Sequence, residues 1–323
     1  MTSLPRQAPT VLVTGAAGML ARALVPVLLD AGFRVTVTDI DLSVPAPWGP
    51  GGPILSTVDV RVDSQVELAV RAAAPDVVLH LAAETSLEIC ENDPAHAMST
   101  NAEAVRRVAL SCRRNGARMV YISTAGVFDG EKDDPYTEAD APRPINWYGR
   151  SKAVGEEHVA GLLDGHHILR AGWMVGAPMA KDHKFLGRIV GQLKSGRTVL
   201  NAVGDKFGSP TYAPDFAATM LPILRGEVAP GLYHAVSEGR RSRYQIAREI
   251  VATLGRDDIE VREVDSAFFA RDFFAPRPRS EVLSNTSLRA AGRNLMRPWP
   301  EPLADYLRPW QAELGTPLRS ASR

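Results

Sequence analysis

The sequence predicts an α/β fold, in which a doubly wound parallel sheet is followed by a smaller C-terminal α/β lobe. Short apolar strands alternate with helical patterns over about the first 170 residues, and a glycine-rich turn joins the first strand to the first helix. After about residue 171 this alternation loosens, and Pro and Gly become more frequent. Strands joined by helical crossovers form parallel sheets, so the first part is predicted to be one such sheet.

Six strands are predicted from short apolar runs, at residues 11–13, 35–38, 58–60, 76–81, 119–123 and 167–170. The run at 76–81 is continuous, which is typical of a strand buried on both faces. Residues 45–53 are rich in Pro and Gly and predict a loop.

Helices are predicted from apolar residues at helical spacing, at 19–28, 64–73, 95–115, 148–163, 185–194, 213–225 and 243–254. Pro26 lies inside the first of these and removes one backbone hydrogen bond, which predicts a mild kink. The long helix at 95–115 is expected to end at a Gly116 cap.

The composition is that of a globular protein. The chain has 323 residues, 45% hydrophobic and 23% charged, which excludes disordered and coiled-coil classes. Basic and acidic residues number 37 each, so net charge gives no sign of nucleic acid or an anionic membrane as partner. No apolar window approaches the ~20 residues of a membrane span, and no signal peptide is evident. We therefore expect a cytoplasmic protein.

Metal and disulfide chemistry are not expected. Cys90 and Cys112 are too few for a disulfide framework or a zinc cage, and we expect them to be inert, small hydrophobic residues. The seven histidines are scattered without metal-ligand spacing, so they are read as structural or solvated.

The turn Gly15-Ala-Ala-Gly18-Met-Leu-Ala21 follows a predicted strand and opens a predicted helix. This is the context of a dinucleotide-binding, or Rossmann, fingerprint: Gly15 permits the tight turn, Gly18 lets the backbone approach a pyrophosphate, and the helix N-terminus favours the anion. Ala21 stands where a third glycine is usual. The alternative is a turn with a structural role only.

Asp39 ends the second predicted strand, close to the ~20-residue offset at which an acidic residue meets the adenosine ribose. A carboxylate there accepts from the 2′-OH and repels a 2′-phosphate, and no Arg or Lys occurs between residues 40 and 60. This favours NAD(H) over NADP(H); the alternative is a solvated loop aspartate. Asp59-Val60 is placed to reach the adenine, and the small pair Ala82-Ala83 lets a dinucleotide lie against the backbone.

Tyr148 and Lys152 are four residues apart on a predicted helix and so share one face. A neighbouring ammonium lowers the pKa of a phenol and makes it a usable proton donor. Thr124 lies just past the fifth strand, where its hydroxyl can face the same crevice and bond to a substrate carbonyl. Without Thr124, the Tyr148–Lys152 pair would be interpreted as having a structural role only.

Together these motifs resemble an extended short-chain dehydrogenase/reductase, and most closely the dTDP-4-dehydrorhamnose reductase group. The resemblance runs from about residue 10 to 310. It is carried by Gly15-x-x-Gly18, Leu81-Ala-Ala83, Asn101, Ser123-Thr-x-x-Val-Phe-Asp-Gly130, Tyr148-Gly-x-Ser-Lys152, Gly155-Glu156, and later by the stretches at 208–216, 231–234 and 277–279.

The resemblance implies roles for particular residues. Thr124, Tyr148 and Lys152 would form the catalytic triad, and Thr124, Ala125 and Trp173 would contact the substrate, although Trp173 could instead be a core or hinge residue. The implied cofactor site comprises Gly15, Gly18, Met19, Leu20, Asp39, Asp59, Val60, Leu81, Ala82, Ala83, Glu84, Thr85, Tyr148 and Lys152.

The implied activity is NAD(P)H-dependent reduction of the 4-keto group of a nucleotide-linked deoxysugar. The implied domains are a dinucleotide-binding domain at 1–170 and a substrate lobe at 171–323, interleaved with the first; a homodimer is possible. Two alternatives stay open: a nucleotide-sugar epimerase, and a non-catalytic NADP-binding regulatory subunit resembling the β subunit of methionine adenosyltransferase.

The chain departs from the group's pattern around the predicted substrate. Ala125-Gly126 stands where the group usually has Asp-Tyr, Ala171-Gly172 replaces hydroxylated residues, and Lys184 replaces Asn. The loss of a carboxylate and a phenol beside Thr124 predicts an altered sugar pocket.

Overall fold

A computed structural model of the chain describes residues 8–42, 48, 52–176, 182 and 184–314. Its strands are β1 (Thr10–Thr14), β2 (Arg34–Asp39), β3 (Ile54–Thr57), β4 (Val77–His80), β5 (Arg118–Thr124), β6 (His166–Ala171), β7 (Trp173–Val175), β8 (Val199–Val203), β9 (Phe207–Gly208), β10 (Pro210–Tyr212), β11 (Gly231–His234), β12 (Arg241–Ser242), β13 (Glu260–Val264) and β14 (Ser280–Glu281).

The α-helices are α1 (Met19–Asp30), α2 (Asp63–Ala73), α3 (Leu87–Asn92), α4 (Pro94–Met98), α5 (Ala104–Asn115), α6 (Trp147–Leu162), α7 (Phe185–Lys194), α8 (Ala213–Leu224), α9 (Arg243–Thr253), α10 (Thr286–Ala290), α11 (Glu301–Leu307) and α12 (Gln311–Leu314). A π-helical turn covers Ser99–Glu103, and 3₁₀ turns cover Ala125–Val127, Ser266–Phe269 and Arg308–Trp310.

The predicted doubly wound sheet is confirmed. Seven strands pair in the order β11-β6-β5-β4-β1-β2-β3, and every neighbouring pair is parallel. β1 and β4 are buried along their whole lengths. Because successive strands are added on opposite sides of β1, a crevice opens at the carboxyl ends of β1 and β4, where ligands bind in such sheets.

Helices cover both faces of this sheet. On one face, Leu24 of α1 and Met220 of α8 belong to one apolar cluster with residues of β1 and β2. On the other, α2, α5 and α6 contribute Val66, Val108 and Val159 to a second cluster. Burial on both faces explains why the strands appear as short continuous apolar runs.

The third strand lies earlier in the chain than predicted. It covers Ile54–Thr57, not 58–60, and its four residues are exposed at the sheet edge, Ile54 by 72%. Val58 and Val60, which suggested the strand, are buried just beyond it. An edge strand need not be buried along its length, so apolar character does not identify it. The prediction from hydrophobicity therefore fell on the neighbouring buried residues, Val58 and Val60.

The long helix predicted at 95–115 is divided. α4 begins behind an Asp93 cap, the π-helical turn follows, and α5 then runs to a left-handed Gly116, which confirms the predicted cap. A π turn is defined by its i→i+5 backbone hydrogen bonds, which the spacing of apolar residues does not specify.

The chain after residue 171 contributes to two places. α8 and β11 complete the large sheet and its cover, while α7, α9, α11, β8 and β13 share a separate apolar cluster that includes Ile189, Ile250 and Leu303.

Pro26 lies within α1 as expected. The predicted loop at 45–53 falls mostly outside the described residues. In the described ranges, no helix is long and apolar enough to cross a membrane.

Candidate active site

The glycine-rich turn is packed against the end of β4. Gly15 has φ +75°, and a Cβ there would lie 2.6 Å from the Ala82 backbone nitrogen, so only glycine fits. Thr14 Oγ1 accepts hydrogen bonds from the backbone N–H groups of Leu81 (3.2 Å) and Ala82 (3.3 Å). These contacts hold together the two loops that border the crevice.

The N-terminus of α1 is open towards the crevice. Gly18 is its N-cap and offers no side chain, so the first N–H groups of the helix are not capped internally. Met19 begins the helix, while the Leu20 side chain is buried in the core and can meet a ligand only through its backbone. An uncapped helix start behind a glycine turn fits the pyrophosphate of a dinucleotide.

Asp39 lies where the sequence places it, at the carboxyl end of β2. Its Oδ2 accepts from the Ala17 N–H (2.8 Å) and its Oδ1 from the Asp41 N–H (3.2 Å). The carboxylate is thereby tied to the glycine-rich turn, beside the position where an adenosine ribose lies in folds of this kind.

The carboxylate of Asp59 is hydrogen-bonded to Arg61. It accepts hydrogen bonds from Arg61, among them those from Nε at 2.9 Å and from Nη2 at 2.8 Å, and these lower the pKa of Asp59. Val60 beside it is buried. Arg61 therefore places a positive charge at this end of the crevice. It lies one residue beyond positions 40–60, which contain no Arg or Lys.

The π-helical turn connects the cofactor side to α6. Asn101, fully buried in that turn, accepts from the Glu84 N–H (2.9 Å) and donates to the Glu84 carbonyl (2.9 Å) and to Ser151 Oγ (3.2 Å). Thr85 follows and accepts from Lys184 Nζ at 3.2 Å. Asn101 therefore ties the loop after β4, which includes Ala83, to the helix that carries Tyr148 and Lys152.

α6 is set against the end of β5. Asn146 caps it by accepting from the Gly149 N–H (2.8 Å), and a Cβ on Gly149 would lie 2.1 Å from the Gly126 carbonyl oxygen. This close approach sets the helix that carries Tyr148 beside Thr124, whose hydroxyl acts to lower the pKa of Tyr148.

Lys152 is 3% exposed, and its ammonium donates to the Ile122 carbonyl at 2.6 Å and lies 4.2 Å from the centre of the Tyr121 ring. Burial lowers the pKa of Lys152 to about 7.

The expectation that the pKa of Tyr148 is lowered is wrong. Burial raises the pKa of Tyr148 to about 12, and the hydrogen bond with Thr124 opposes this rise only in part. Desolvation of the phenolate outweighs the attraction that sequence spacing alone suggested.

The substrate side contains an acidic residue that the sequence reading missed. Trp173 Nε1 donates to Glu281 Oε2 at 2.8 Å, and the Arg243 guanidinium stacks 3.7 Å from the centre of the Trp173 ring. Ala125 and Gly126 are buried in the 3₁₀ turn just after Thr124. Glu281 lies two residues beyond the Arg277-Pro-Arg279 motif, and that proximity was its only signal in the sequence.

Several cations surround this acidic residue. Arg243, Arg277 and Lys206 all act to lower the pKa of Glu281, although burial has the larger effect and raises it. Arg277 is also paired with Glu88 at 2.7 Å, and Lys206 donates to the Arg277 carbonyl. Such a cluster can receive the negative charge of a nucleotide diphosphate.

The remaining titratable candidates have structural surroundings. His80 is buried and bonds through Nδ1 with Thr14 Oγ1 at 2.9 Å, and burial lowers its pKa to about 3. Cys90 and Cys112 are buried, and burial raises the pKa of each thiol to about 12, so neither is a nucleophile near neutral pH. Among the described residues, no group of three His, Cys, Asp or Glu side chains could hold a metal.

Fold and site together define the class of this protein, which is an extended short-chain dehydrogenase/reductase. Within that class the chain belongs to one family, described as the RmlD substrate binding domain, whose sequence model matches residues 9–312.

Two relatives resemble almost the whole chain. A dTDP-4-dehydrorhamnose reductase of Streptomyces griseus is 33% identical over 98% of this chain and 99% of its own length. A dTDP-4-keto-6-deoxy-D-glucose reductase of Streptomyces niveus is 33% identical over 89% of this chain and 93% of its own.

Solved structures agree with this assignment. The dTDP-4-dehydrorhamnose reductase of Bacillus anthracis, in complex with NADP, superposes with a TM-score of 0.83 at 28% identity, covering 94% of this chain and 99% of its own. The UDP-glucose 4-epimerase of Thermus thermophilus, in complex with NAD, gives 0.78 at 25% identity, with coverage of 93% and 99%.

Proposed function

We propose that this protein uses a nicotinamide cofactor to reduce the 4-keto group of a nucleotide-linked deoxysugar. The observation that supports the proposal is the packing of the end of β5, which carries Thr124, against α6, which carries Tyr148 and Lys152, on a chain whose 33%-identical relatives are named as reductases of such sugars. The uncapped start of α1 and the glycine-only contact at Gly15 fit a dinucleotide.

In this proposal the hydroxyls of Thr124 and Tyr148 hold the ketone oxygen of the sugar, and Tyr148 donates the proton as that oxygen becomes an alcohol. When bound, the cofactor supplies the hydride. A phenol whose pKa is raised to about 12 stays protonated near neutral pH, which suits a proton donor. Lys152, one helical turn after Tyr148 and held by the Ile122 carbonyl, is proposed to supply positive charge to the phenolate that remains.

We propose NAD(H) as the preferred cofactor. Asp39 is held by the Ala17 N–H beside the glycine-rich turn, and a carboxylate in that position repels a 2′-phosphate. Arg61 is the first Arg or Lys that follows Asp39 in the chain, and its guanidinium is bound by Asp59.

The sugar pocket is proposed to differ from that of the dehydrorhamnose reductases, because Ala125-Gly126 provides neither a carboxylate nor a phenol beside Thr124. Cytoplasmic location and a homodimer remain predictions, as does the division into a cofactor domain and a substrate lobe. An epimerase is the second candidate, since the NAD-bound epimerase structure superposes over most of both chains.

The test is turnover of a panel of dTDP-linked 4-keto-6-deoxy sugars by the purified protein, followed by the absorbance of NADH and of NADPH. We expect stoichiometric oxidation of NADH and formation of the 4-hydroxy sugar. Interconversion of 4-epimers without net cofactor oxidation would favour the epimerase. Cofactor binding without turnover of any sugar would overturn the proposal and favour a regulatory subunit.

A further inference from the structure

Glu281 presents one carboxylate oxygen to the crevice beside the proposed catalytic residues. Its Oε2 is occupied by the Trp173 indole N–H at 2.8 Å. The point at which a Cβ on Gly126 would lie is 3.5 Å from Glu281 Oε1 and 3.4 Å from Thr124 Oγ1. Among the hydrogen bonds of the described residues, none reaches Oε1. One acceptor therefore remains available next to the hydroxyl that would hold the ketone.

Glycine at position 126 keeps the space between these two oxygens open. Its φ lies outside the left-handed region, and a Cβ there would make only ordinary contacts at 3.4 and 3.5 Å. Neither backbone strain nor a clash therefore requires glycine here. By contrast, Gly149 on the neighbouring helix is required, because its Cβ would lie 2.1 Å from a backbone oxygen.

We propose that Glu281 is a substrate-binding residue that accepts a hydrogen bond from the hydroxyl on the sugar carbon next to the ketone. The inference rests on the proposed function, which places a C4 ketone at Thr124 and Tyr148. C5 of a 6-deoxy sugar bears the methyl group and the ring oxygen, so the neighbouring hydroxyl is that on C3. The substrate class is then a nucleotide-linked 4-keto-6-deoxy sugar that retains its 3-hydroxyl.

The charge around Glu281 favours a neutral donor over an amino sugar. Arg243, Arg277 and Lys206 already act on this carboxylate, and Arg243 is fixed against the Trp173 ring at 3.7 Å. A protonated amine would bring a fourth positive charge into this group, whereas a hydroxyl adds a donor without adding charge.

The test compares two substrates, dTDP-4-keto-6-deoxyglucose and its 3-deoxy analogue, in the wild type and in Glu281→Gln. The glutamine keeps an oxygen for the Trp173 indole but turns an NH₂ towards the sugar, so an acceptor becomes a donor. We expect kcat/KM for the 3-hydroxy sugar to fall about 10- to 100-fold, with little change for the 3-deoxy sugar. Glu260→Gln is the control, because Glu260 is exposed and paired with Arg262.

Binding measurements separate this inference from the proposed function. Calorimetry of dTDP alone and of the reduced 3-hydroxy product should show weaker binding of the sugar, but not of dTDP, to Glu281→Gln. If the wild type reduces keto sugars but Glu281→Gln keeps the wild-type ratio between the two substrates, the role of Glu281 is refuted and the reductase stands. If no keto sugar is reduced, the reductase proposal fails, and equal binding by both proteins would refute Glu281 as well.

Discussion

Replacement of Lys152 by Met should make the folded protein's stability less dependent on pH while removing activity. The Lys152 ammonium is 3% exposed, and burial lowers its pKa from 10.5 to about 7. A lysine whose pKa falls on folding opposes folding wherever the unfolded chain is protonated. This cost is complete below pH 7, diminishes between pH 7 and 10.5, and is absent above that range.

The magnitude follows from that shift. Each pKa unit corresponds to about 1.4 kcal/mol, and Lys152 is already half deprotonated in the folded state at pH 7, so the wild type should gain about 2 kcal/mol in unfolding free energy relative to Lys152→Met between pH 7 and pH 9. The methionine also leaves the Ile122 carbonyl without its donor, which costs about 1–3 kcal/mol. That loss is the same at both pH values, so the pH-dependent difference isolates the ammonium.

The assay is urea unfolding of both proteins at pH 7 and 9, with Lys194→Met as control. Lys194 is an exposed lysine paired with Glu313, so its removal should give no comparable pH-dependent difference. A stability difference between wild type and Lys152→Met that is constant from pH 7 to 9 would refute the reasoning. It would mean that Lys152 is hydrated enough to keep its ordinary pKa.

Three further predictions concern the site. Tyr148→Phe removes the proposed proton donor and should lower kcat by about 10²- to 10⁴-fold without weakening cofactor binding, measured by fluorescence titration; near-normal turnover would exclude Tyr148 as the donor. Asp39→Ser should shift the ratio of kcat/KM values towards NADPH by about tenfold, and an unchanged ratio would show that Asp39 does not reach the ribose. Gly149→Ala forces a Cβ to within 2.1 Å of the Gly126 carbonyl and should lower the free energy of unfolding by about 1–3 kcal/mol. Gly161→Ala, with nothing within 4 Å of its Cβ, should raise it by about 0.5–1 kcal/mol, and equal thermal melting of the two variants would contradict this contrast.

Local sequence patterns were sufficient to predict the features of this protein that depend on residues close together in the chain. The alternation of apolar strands and helices predicted the doubly wound sheet, because burial on both faces imposes that pattern on each strand. Gly15 and Gly18 were recognised because a tight turn before a helix is formed by adjacent residues. The placement of Tyr148 and Lys152 on one helical face needs only the helical repeat. Thr124 could be assigned to the same site as Tyr148 and Lys152 because the carboxyl ends of parallel strands meet at one edge of the sheet.

Packing between distant segments decided the rest. The position of β3 depends on pairing with β2 at an exposed edge, where apolar character is no guide. Asn101, in the π turn, contacts Glu84 and Ser151, which lie 17 and 50 residues away in sequence. The pKa of Tyr148 has the opposite direction to the one expected, because desolvation depends on everything packed around the phenol.

The position of Glu281 in the substrate crevice is also decided by packing between distant segments. It is 108 residues from Trp173, yet the fold brings its carboxylate to that indole and to the space beside Gly126. Sequence spacing specifies which residues share one helix or follow one strand. Only the tertiary structure determines which charges from separate segments are buried together, because the free energy of a buried charge depends on its surroundings in three dimensions.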